Sequence, residues 1–508
     1  MISLKADERS TKRYFDKHPG LKTKMLGKTG LTVSACGFGA YRVDYRVFEH
    51  SEALEYALLN GINLIDTSSN YSDGGSEVLI GKVMQKLLDE KKVRREEIVV
   101  VTKGGYIQGK NYENAKERKN EGIPYKEVVE YATGIWHSIH PEFLKEQIDK
   151  SLERMNMESV DVYLLHNPEY FLDSPLSKEL ELDELRHEYY RRIKNAFEYL
   201  ESEVSAGRIG SYGISSNSFV MTGEDQVFTS LEACKRVANS ISINNRFDVI
   251  EFPLNLYERG ALKNKNQLAG LKTLLGFASD SNIGTLINRP LNAIREKKLT
   301  RLADFSTNDE YLKLDETQII AEIDLLDSME EDFLKEYMEI LNLSEQNREA
   351  VNYFLKAGYL LKENWKSFGS IESFNDVKKQ FLIPRVNYAF TVMLKSPNLT
   401  EEMKNRLDAI ARQVNKIMNI IETIYGLLAN TRSREIHFKL NSKVSLKEAD
   451  WFKELTLSQK SILLVNSLKG VSSTLAGMRQ KRYVDDVLKI MKLETVHDAE
   501  NIIESLEL

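Results

Sequence analysis

The sequence has few cysteines and no long apolar segment. Only two of its 508 residues are cysteines, Cys36 and Cys234, so a disulfide framework cannot organise the fold. No stretch approaches the ~18 uninterrupted apolar residues that a membrane-spanning helix needs, and the polar residues 1–20 lack the apolar centre of a signal peptide. We therefore expect a cytoplasmic protein that does not enter a membrane.

An excess of one charge is also missing. The net charge is −6, and acidic and basic residues are interspersed along the chain. This pattern favours neither nucleic acid nor a charged membrane surface as a partner. Hydrophobic residues make up 42% of the chain and charged residues 29%, which is typical of a globular protein with a sizeable core.

Eight short apolar runs recur along the chain, each bounded by polar or glycine-containing turns. They are continuously apolar rather than alternating, which is typical of strands covered on both faces in a parallel sheet. The runs are SACGFGA (34–40), INLID (62–66), IVVVTK (98–103), VDVYLLH (160–166), RIGSYGIS (208–215), FDVIEF (247–252), IGTLIN (283–288) and VSSTLAG (471–477). Helical patterns lie between them, at 51–60, 76–92, 141–155, 183–206, 224–238 and 267–279. The alternation predicts an α/β fold, and the eight strands predict a (β/α)8 TIM barrel, although an open parallel sheet would give the same local patterns.

The seventh and eighth runs are much farther apart in sequence than any other neighbouring pair. We therefore expect an all-helical insertion between them, at 294–452. From Thr400, a candidate N-cap, apolar residues follow at alternating spacings of four and three, which predicts a long helix with one apolar seam. The seam residues are Met403, Leu407, Ile410, Val414, Ile417, Ile421, Ile424 and Leu428. Such a seam either packs within a helical subdomain or mediates oligomerisation through the helical insertion.

The predicted organisation of the chain has four parts. They are an N-terminal extension (1–22), the first seven strands of the barrel (23–293), the helical insertion (294–452), and the completion of the barrel by strand eight and the C-terminal helices (453–508).

Three successive runs end in an ionisable residue, namely Asp66, Lys103 and His166, and Tyr71 lies in the loop after Asp66. Each of these residues alone has an ordinary structural explanation, such as a hydrogen-bonded histidine at a strand end. Functional side chains of a parallel barrel, however, come from the carboxyl ends of the strands and the loops that follow. We therefore expect all four side chains to meet at one end of the barrel.

These four side chains suit proton transfer to a substrate oxygen. A free phenol has a pKa near ~10, and a cation within ~4–6 Å lowers it. Lys103 can supply that cation, Asp66 can keep it charged, and a histidine can orient a substrate carbonyl. The group contains no good nucleophile and no source of electrons, so carbonyl reduction would need a bound hydride donor.

The same segments resemble the aldo/keto reductase superfamily, whose members are NAD(P)H-dependent (β/α)8 barrels with an Asp, Tyr, Lys and His tetrad in this chain order. GINLIDTSSNY holds Asp66 and Tyr71, VVVTKGG holds Lys103, and SLERMNMESVDVYLLHNP holds His166. Further segments resemble the family's N-terminal hairpin and first strand, its fifth strand, and its last helix, strand and cofactor-binding helix. They are MLGKTGLTVSACGFGAYR (25–42), GRIGSYGISSNSF (207–219) and LTLSQKSILLVNSLKGVSSTLAGMRQKRYVDDVL (455–488). The resemblance covers about 23–293 and 453–495.

The resemblance also implies a nicotinamide cofactor site. Its residues would be Gly39, Ala40, Tyr41, Ser215, Ser216, Glu251, Asn288, Pro290, Leu291, Gly477, Arg479, Arg482 and Asp486. Ser215 and Ser216 would contact the nicotinamide amide, with Asn217 as a one-residue-shifted alternative. Glu251 and Asn288 stand where the family has a glutamine and an aromatic ring.

Two arginines in AGMRQKRYVDD favour NADP over NAD. By the family pattern, Arg479 and Arg482 would bind the adenosine 2′-phosphate at the start of a helix, where an anion is favoured.

The sequence thus predicts an NADP(H)-dependent oxidoreductase. It would reduce the carbonyl of an aldehyde, ketone or sugar by hydride transfer, with Tyr71 as proton donor, and the reverse oxidation of an alcohol would use the same residues. The alternative is a nucleotide-bound, non-catalytic binding or regulatory module that uses the helical insertion as its partner surface.

Two other functions are disfavoured by the residues themselves. A barrel glycosidase could use Asp66 and Glu251 as its carboxyl pair, but Lys103 beside Asp66 opposes the raised pKa that a catalytic acid needs. No metal site is expected, because His137 and His140 of HSIHP are not joined by a cysteine or acidic cluster.

Overall fold

The eight apolar runs form the eight strands of a closed parallel barrel. The computed structural model describes residues 1–295, 298–305 and 311–508. Each barrel strand pairs with the strands before and after it in the chain, and the eighth pairs with the first. The strands are β1 (Cys36–Gly39), β2 (Leu64–Asp66), β3 (Val99–Gly104), β4 (Val160–His166), β5 (Ile209–Ser215), β6 (Phe247–Pro253), β7 (Gly284–Asn288) and β8 (Ser473–Ala476). The predicted (β/α)8 barrel is confirmed.

The inner face of the barrel is apolar until the strands end. Alternate residues of a strand face the same side of the sheet. One buried cluster accordingly contains an apolar residue from each of five strands, Leu64, Val101, Leu164, Val249 and Leu286. Two positions further along, the same five strands carry Asp66, Lys103, His166, Glu251 and Asn288. The polar residues therefore form one layer above the apolar core, at the carboxyl end of the barrel.

Helices separate successive barrel strands. The main helices are Phe48–Leu59, Gly75–Asp89, Pro141–Met155, Leu182–Ser205, Leu231–Ile241, Leu274–Asp280, Leu457–Ser467 and Lys481–Met491. Further helices of the first unit are Glu8–Tyr14, Lys110–Asn120, Gly260–Lys263, Ala449–Lys453 and Ala499–Glu504. Strands outside the barrel are Thr23–Met25 with Thr32–Ser34, the three-stranded sheet of Tyr106–Ile107, Val129–Ala132 and Ile135–His137, and Asn292–Arg295 with Lys298–Arg301.

Two of the predicted helices begin later than expected. The patterns at 224–238 and 267–279 correspond to Leu231–Ile241 and Leu274–Asp280. In each case a hydroxyl side chain ends the preceding loop, because Ser230 accepts from the backbone N–H of Ala233 and Thr273 from that of Gly276. These N-caps set the first residue of each helix more firmly than the apolar spacing does.

The N-terminal extension is attached to the barrel by buried polar contacts. The backbone N–H of Ala6 donates to Asp161 Oδ1 over 2.6 Å. Tyr14 donates to the carbonyl oxygen of Leu58 over 2.7 Å, and its hydroxyl accepts from the N–H of Gly61. These bonds attach the N-terminal extension, which lies before the segment that resembles the family, to the barrel.

The described residues divide into two units. The first joins Met1–Ala293 to Leu440–Leu508 and holds the barrel, and the second is Ile294–Lys439. The second unit contains Glu316–Tyr337, Glu345–Phe354, Ala357–Asn364, Ile371–Val377, a π-helical turn at Lys378–Leu382, Ile383–Leu394 and most of Glu401–Asn441. Among the described residues, no helix combines the length and apolar character that crossing a membrane requires.

The long helix Glu401–Asn441 begins where the sequence indicates. Thr400 Oγ1 accepts from the backbone N–H of Met403 over 3.2 Å. Six seam residues, Met403, Leu407, Ile410, Val414, Ile417 and Ile421, are buried in the core of the second unit. Leu428, in contrast, is 63% exposed, so the buried part of the seam is shorter than the pattern.

The expected insertion boundary at 452 differs from the structure. Residues 440–452 belong to the unit that holds the barrel. The backbone N–H of His497 donates to Glu448 over 2.6 Å, and Leu440 and Phe452 are fully buried. The bond between Glu448 and His497 ties the segment to the C-terminal part of the first unit.

Candidate active site

The four predicted side chains meet at the carboxyl end of the barrel. Lys103 Nζ lies 2.5 Å from Asp66 Oδ1 and donates to the carbonyl oxygen of Thr67 over 3.0 Å. The same ammonium lies 5.2 Å from the centroid of the Tyr71 ring. The Tyr71 and His166 rings are 5.9 Å apart and nearly perpendicular. These groups come from the ends of strands β2, β3 and β4 and from the short 3-10 turn Tyr71–Gly74.

A fifth residue, Glu251, belongs to the same cluster. Its Oε2 lies 3.1 Å from Lys103 Nζ, and its Oε1 accepts from Asn288 Nδ2 over 2.9 Å. The sequence assigned Glu251 only to the cofactor, yet the structure places its carboxylate on the lysine. The inward alternation of FDVIE, with Val249 in the core and Glu251 two positions later, is the signal that could have found it.

Burial and charge set the protonation of this cluster. Burial raises the pKa of Asp66 well above its ordinary value, and Glu251 raises it further while Lys103 opposes the rise. For Lys103, burial lowers the pKa, but Asp66 and Glu251 together bring it above its ordinary value. The ammonium is therefore charged and shares its charge between two carboxyl groups.

The expected acidification of Tyr71 is wrong in sign. Burial raises the pKa of the phenol, Lys103 lowers it, and Asp66 and Glu251 raise it again, so that the sum lies above the ordinary value. One ammonium cannot outweigh burial and two neighbouring carboxylates. Tyr71 is therefore a protonated phenol at neutral pH.

The sequence did not predict the hydroxyl and the aromatic rings that surround His166. Ser68 Oγ lies 3.0 Å from His166 Nδ1. Tyr106 meets the His166 ring edge-on at 4.7 Å, and Tyr106 in turn meets Tyr170 at 5.2 Å. Burial lowers the pKa of His166 well below its ordinary value, and the Lys103 charge lowers it further. His166 is thus a neutral imidazole in a largely aromatic pocket.

The end of β5 is held by another buried carboxylate. Ser215 pairs with His166 on one side and with Glu251 on the other. The backbone N–H of Ser216 donates to the carbonyl oxygen of Glu251, and that of Asn217 donates to Glu169 Oε1, each within 2.9 Å. Glu169 was missed because it follows the strand end in a loop with no periodic pattern. Its bond to Asn217 anchors the backbone directly after Ser215 and Ser216.

The loop after β7 offers polar atoms that could hold a ligand. Asn288 is the last residue of β7, and Arg289 adopts a positive φ of 53° before Pro290 and Leu291. Within the described part of the chain, Asn288 Oδ1 and Arg289 Nε are buried without a hydrogen-bond partner. These two atoms, an acceptor and a cationic donor without protein partners, suit a ligand that carries both an amide and a phosphate.

The end of β1 brings three predicted cofactor residues beside Asp66 and Tyr71. Gly39 pairs with Asp66, and the N–H of Ala40 donates to the carbonyl oxygen of Asp66 over 2.9 Å. The side chain of Tyr41 is 64% exposed, and its ring meets Tyr71 edge-on at 5.2 Å.

The predicted phosphate-binding residues lie after β8. Gly477 is exposed, and Arg479 lies close enough to His50 to lower the pKa of that imidazole, which burial lowers first. Arg482 is exposed and donates to Gln480 over 2.8 Å, while Asp486 accepts from Gln459 over 2.9 Å. In the described residues, no three His, Cys, Asp or Glu side chains form a group that could hold a metal ion.

Part of this sequence is similar to known proteins. A sequence profile described as the Aldo/keto reductase family matches residues 37–253. The NADH-specific methylglyoxal reductase of Escherichia coli (strain K12) is 29% identical over 154 residues, which are 29% of this chain and 42% of that protein. The chain therefore spans less than half the length of this relative.

Two solved structures have a weak similarity to this chain. An aldo/keto reductase from Klebsiella pneumoniae in complex with NADP and acetate is 17% identical, with a TM-score of 0.34 over 53% of this chain and 69% of that one. A thermostable aldo-keto reductase, Tm1743, in complex with the inhibitor epalrestat is 18% identical, with a TM-score of 0.35 over 77% of this chain and 100% of that one. Over residues 37–253 the first unit therefore resembles the aldo/keto reductase family, and its closed parallel barrel agrees with that resemblance.

Proposed function

We propose that this protein is an NADP(H)-dependent oxidoreductase that reduces the carbonyl group of an aldehyde, ketone or sugar. The observation that carries the proposal is the contact of Lys103 Nζ with Asp66 Oδ1 at 2.5 Å, beside the rings of Tyr71 and His166. The relative in E. coli is named a methylglyoxal reductase, which supports a small carbonyl compound as substrate. One hydride, which brings two electrons and one hydrogen to the carbonyl carbon, and one proton on the oxygen convert the carbonyl into the alcohol.

Each residue has a distinct role in this proposal. A bound reduced nicotinamide would supply the hydride to the carbonyl carbon. Tyr71 gives its phenolic proton to the carbonyl oxygen, with Lys103 stabilising the phenolate that is left and Asp66 keeping Lys103 charged and oriented. His166 would donate a hydrogen bond from Nε2 to the same oxygen once the Ser68 hydroxyl, which donates to Asn70 Oδ1 over 2.7 Å, turns to His166 Nδ1 at 3.0 Å.

The chain has polar groups in place for the cofactor. Ser215, Ser216 and the unpartnered Asn288 Oδ1 would face the nicotinamide amide, and Arg289 Nε with the Pro290 loop would face the pyrophosphate. Gly39, Ala40 and Tyr41 would line the opposite side of the site. Arg479 and Arg482 would take the 2′-phosphate, which makes NADP the preferred cofactor and NAD the weaker one.

The test combines cofactor binding with turnover. Fluorescence titration with NADPH and NADH measures both affinities, and a carbonyl panel that includes methylglyoxal measures turnover. Tyr71→Phe is expected to bind cofactor as before and to lose about 10²- to 10⁴-fold in kcat. The exposed Tyr45 provides the matched control, because Tyr45→Phe should leave turnover unchanged. Failure of both cofactors to bind overturns the proposal.

One observation favours a second candidate, a nucleotide-bound module without catalysis. Glu251 and Asn288, two predicted cofactor contacts, are bonded to each other, and Glu251 also contacts Lys103. In that case the helical unit would provide the partner surface. Retained nucleotide binding with no Tyr71-dependent turnover of any carbonyl would support this candidate over the reductase.

A further inference from the structure

Glu251 is held in the barrel by two internal partners. Its side chain is 2% exposed, with Oε2 at 3.1 Å from Lys103 Nζ and Oε1 at 2.9 Å from Asn288 Nδ2. A carboxylate that served only to bind the nicotinamide amide would keep an oxygen turned towards the ligand. The Glu251 oxygen that accepts no hydrogen bond from the described residues, Oε2, instead makes an ionic contact with the Lys103 ammonium.

The contact with Lys103 spans the barrel interior. Lys103 lies on β3 and Glu251 on β6, and β4 and β5 separate the two strands in the barrel. Asp66 reaches the same ammonium from the neighbouring strand β2. Lys103 therefore has a counter-ion on each side, one from an adjacent strand and one from across the barrel.

Two carboxyl groups and one ammonium do not balance. If both carboxyl groups were ionised, the cluster around the fully buried Lys103 would carry one net negative charge, and the raised pKa of Asp66 is the response to burial and to that excess. An uncompensated charge is unfavourable in a buried site, so the cluster resists any further negative charge in its neighbourhood. The nearest group that could acquire one is the phenol of Tyr71, whose ring lies 5.2 Å from Lys103 Nζ.

We propose that Glu251 is a positioning residue, a second counter-ion of Lys103 that keeps Tyr71 in its proton-donating form and so favours carbonyl reduction over alcohol oxidation. This inference rests on the proposed function. In reduction, hydride from the reduced nicotinamide adds to the carbonyl carbon, the C=O π pair moves to oxygen, and the Tyr71 O–H bond breaks to protonate that oxygen. The phenolate then regains a proton from solvent. In oxidation, Tyr71 would first have to lose its proton, which the extra carboxylate disfavours.

The test measures the ionisation of Tyr71 directly. Glu251→Gln removes the charge and keeps an oxygen that can accept from Asn288. NMR of protein labelled at the tyrosine ζ carbon, with Tyr71→Phe to assign the signal, reports the phenolate fraction without any substrate. We expect the phenolate fraction at about pH 10 to rise about tenfold or more in Glu251→Gln, which corresponds to a pKa lowered by about one unit.

Glu169→Gln is the matched control. Glu169 is also a buried carboxyl at this end of the barrel, but it bonds to Asn167 and Asn217 instead of Lys103. This variant should leave the Tyr71 signal unchanged. If Glu251→Gln does not fold, Glu251→Met replaces it, because it removes the charge without adding a buried amide. The phenolate fraction of Tyr71 is then measured in this variant.

Kinetics separate this inference from the proposed function. In Glu251→Gln, the alkaline fall of carbonyl reduction and the onset of alcohol oxidation should both move to lower pH. An unchanged Tyr71 ionisation overturns the role of Glu251, whether or not the enzyme turns over. A shifted ionisation in a protein that reduces no carbonyl supports the coupling of Glu251 to Tyr71 and overturns the reductase itself.

Discussion

His137 donates its Nε2 hydrogen to the backbone carbonyl oxygen of His166 over 2.7 Å. His137 ends the strand Ile135–His137, which lies outside the barrel, and its ring stacks on Tyr170 with an angle of 11° between the planes. The last carbonyl of β4 is therefore satisfied by a side chain from the loop after β3. This bond fixes the backbone that carries His166.

His137→Phe tests this bond through its pH dependence. Burial lowers the pKa of His137 to about 4, whereas an unfolded histidine takes up its proton near ~6.5. Since the unfolded chain binds more protons between these values, His137 lowers the free energy of unfolding as pH falls from about 6.5 to about 4. His137→Phe should weaken that loss, and at about pH 8 it should destabilise by about 1–3 kcal/mol because the His166 carbonyl becomes unpaired. Urea denaturation checks both effects, and His497→Gln, at an exposed position, should change neither.

Lys103→Met leaves two buried carboxyl groups without their cation. Breaking a buried ion pair in this way destabilises by roughly 3–5 kcal/mol, and carbonyl reduction should be lost. Adding Asp66→Asn and Glu251→Gln to Lys103→Met should restore most of the urea midpoint but none of the turnover. A triple variant as unstable as Lys103→Met alone would contradict the charge argument.

Glu330 gives the second unit a dependence on pH. Its oxygens accept from the backbone N–H groups of Ala357 and Gly358 over 3.1 and 2.8 Å. Burial raises the pKa of Glu330 to about 7 despite these bonds. The native carboxyl thus binds its proton more tightly than the unfolded one, so the free energy of unfolding falls as pH rises from about 4.5 to about 7, by on the order of 3 kcal/mol.

Glu330→Gln should flatten this decline, and Glu331→Gln, which changes the exposed neighbour, should not. Trp365 packs against the core of the second unit, and the other two tryptophans of the chain are Trp136 and Trp451. With those two replaced by phenylalanine, the fluorescence of Trp365 reports the unfolding of this unit. An equal slope against pH in the Glu330→Gln and Glu331→Gln variants would contradict the assignment.

Gly81 allows two helices of the barrel to approach each other closely. A Cβ at Gly81, in helix Gly75–Asp89, would lie 2.6 Å from the backbone oxygen of Met155, at the end of helix Pro141–Met155. Backbone atoms cannot move aside as a flexible side chain can, so Gly81→Ala should lower the free energy of unfolding by about 1–3 kcal/mol. A Cβ at Gly223 would meet no described heavy atom within 4 Å. Gly223→Ala should therefore leave the urea midpoint nearly unchanged.

The strand ends were readable from the sequence because local alternation determines them. Asp66, Lys103 and His166 each follow an inward apolar residue by two positions, and the barrel brings such positions to one level. The partnership of Lys103 with Glu251 was not readable, since it depends on closure of the barrel and on side-chain reach across its interior. The sign of the Tyr71 pKa shift was missed for the same reason, because it depends on burial and on a second carboxylate.

Contacts from outside the barrel were the hardest to anticipate. His137 and Glu169 lie in segments without apolar periodicity, and their partners are backbone groups that no sequence pattern marks. The late starts of Leu231–Ile241 and Leu274–Asp280, in contrast, were signalled by Ser230 and Thr273. Giving the N-cap hydroxyls more weight than the apolar spacing would have placed both helices correctly.

The position of β8 in the chain bears on how the protein is synthesised. β8 pairs with both β7 and β1 and so closes the barrel. The ribosome, however, has to synthesise residues 289–472 after β7 before it reaches β8. At equilibrium, the length of this connection adds little to the entropic cost of closing the loop, since each doubling of loop length costs about 0.6 kcal/mol. During translation, however, β1 and β7 remain open sheet edges until residue 476 has emerged, and such edges can pair with other chains. Nascent chains that stall within the helical unit are therefore the species most exposed to aggregation.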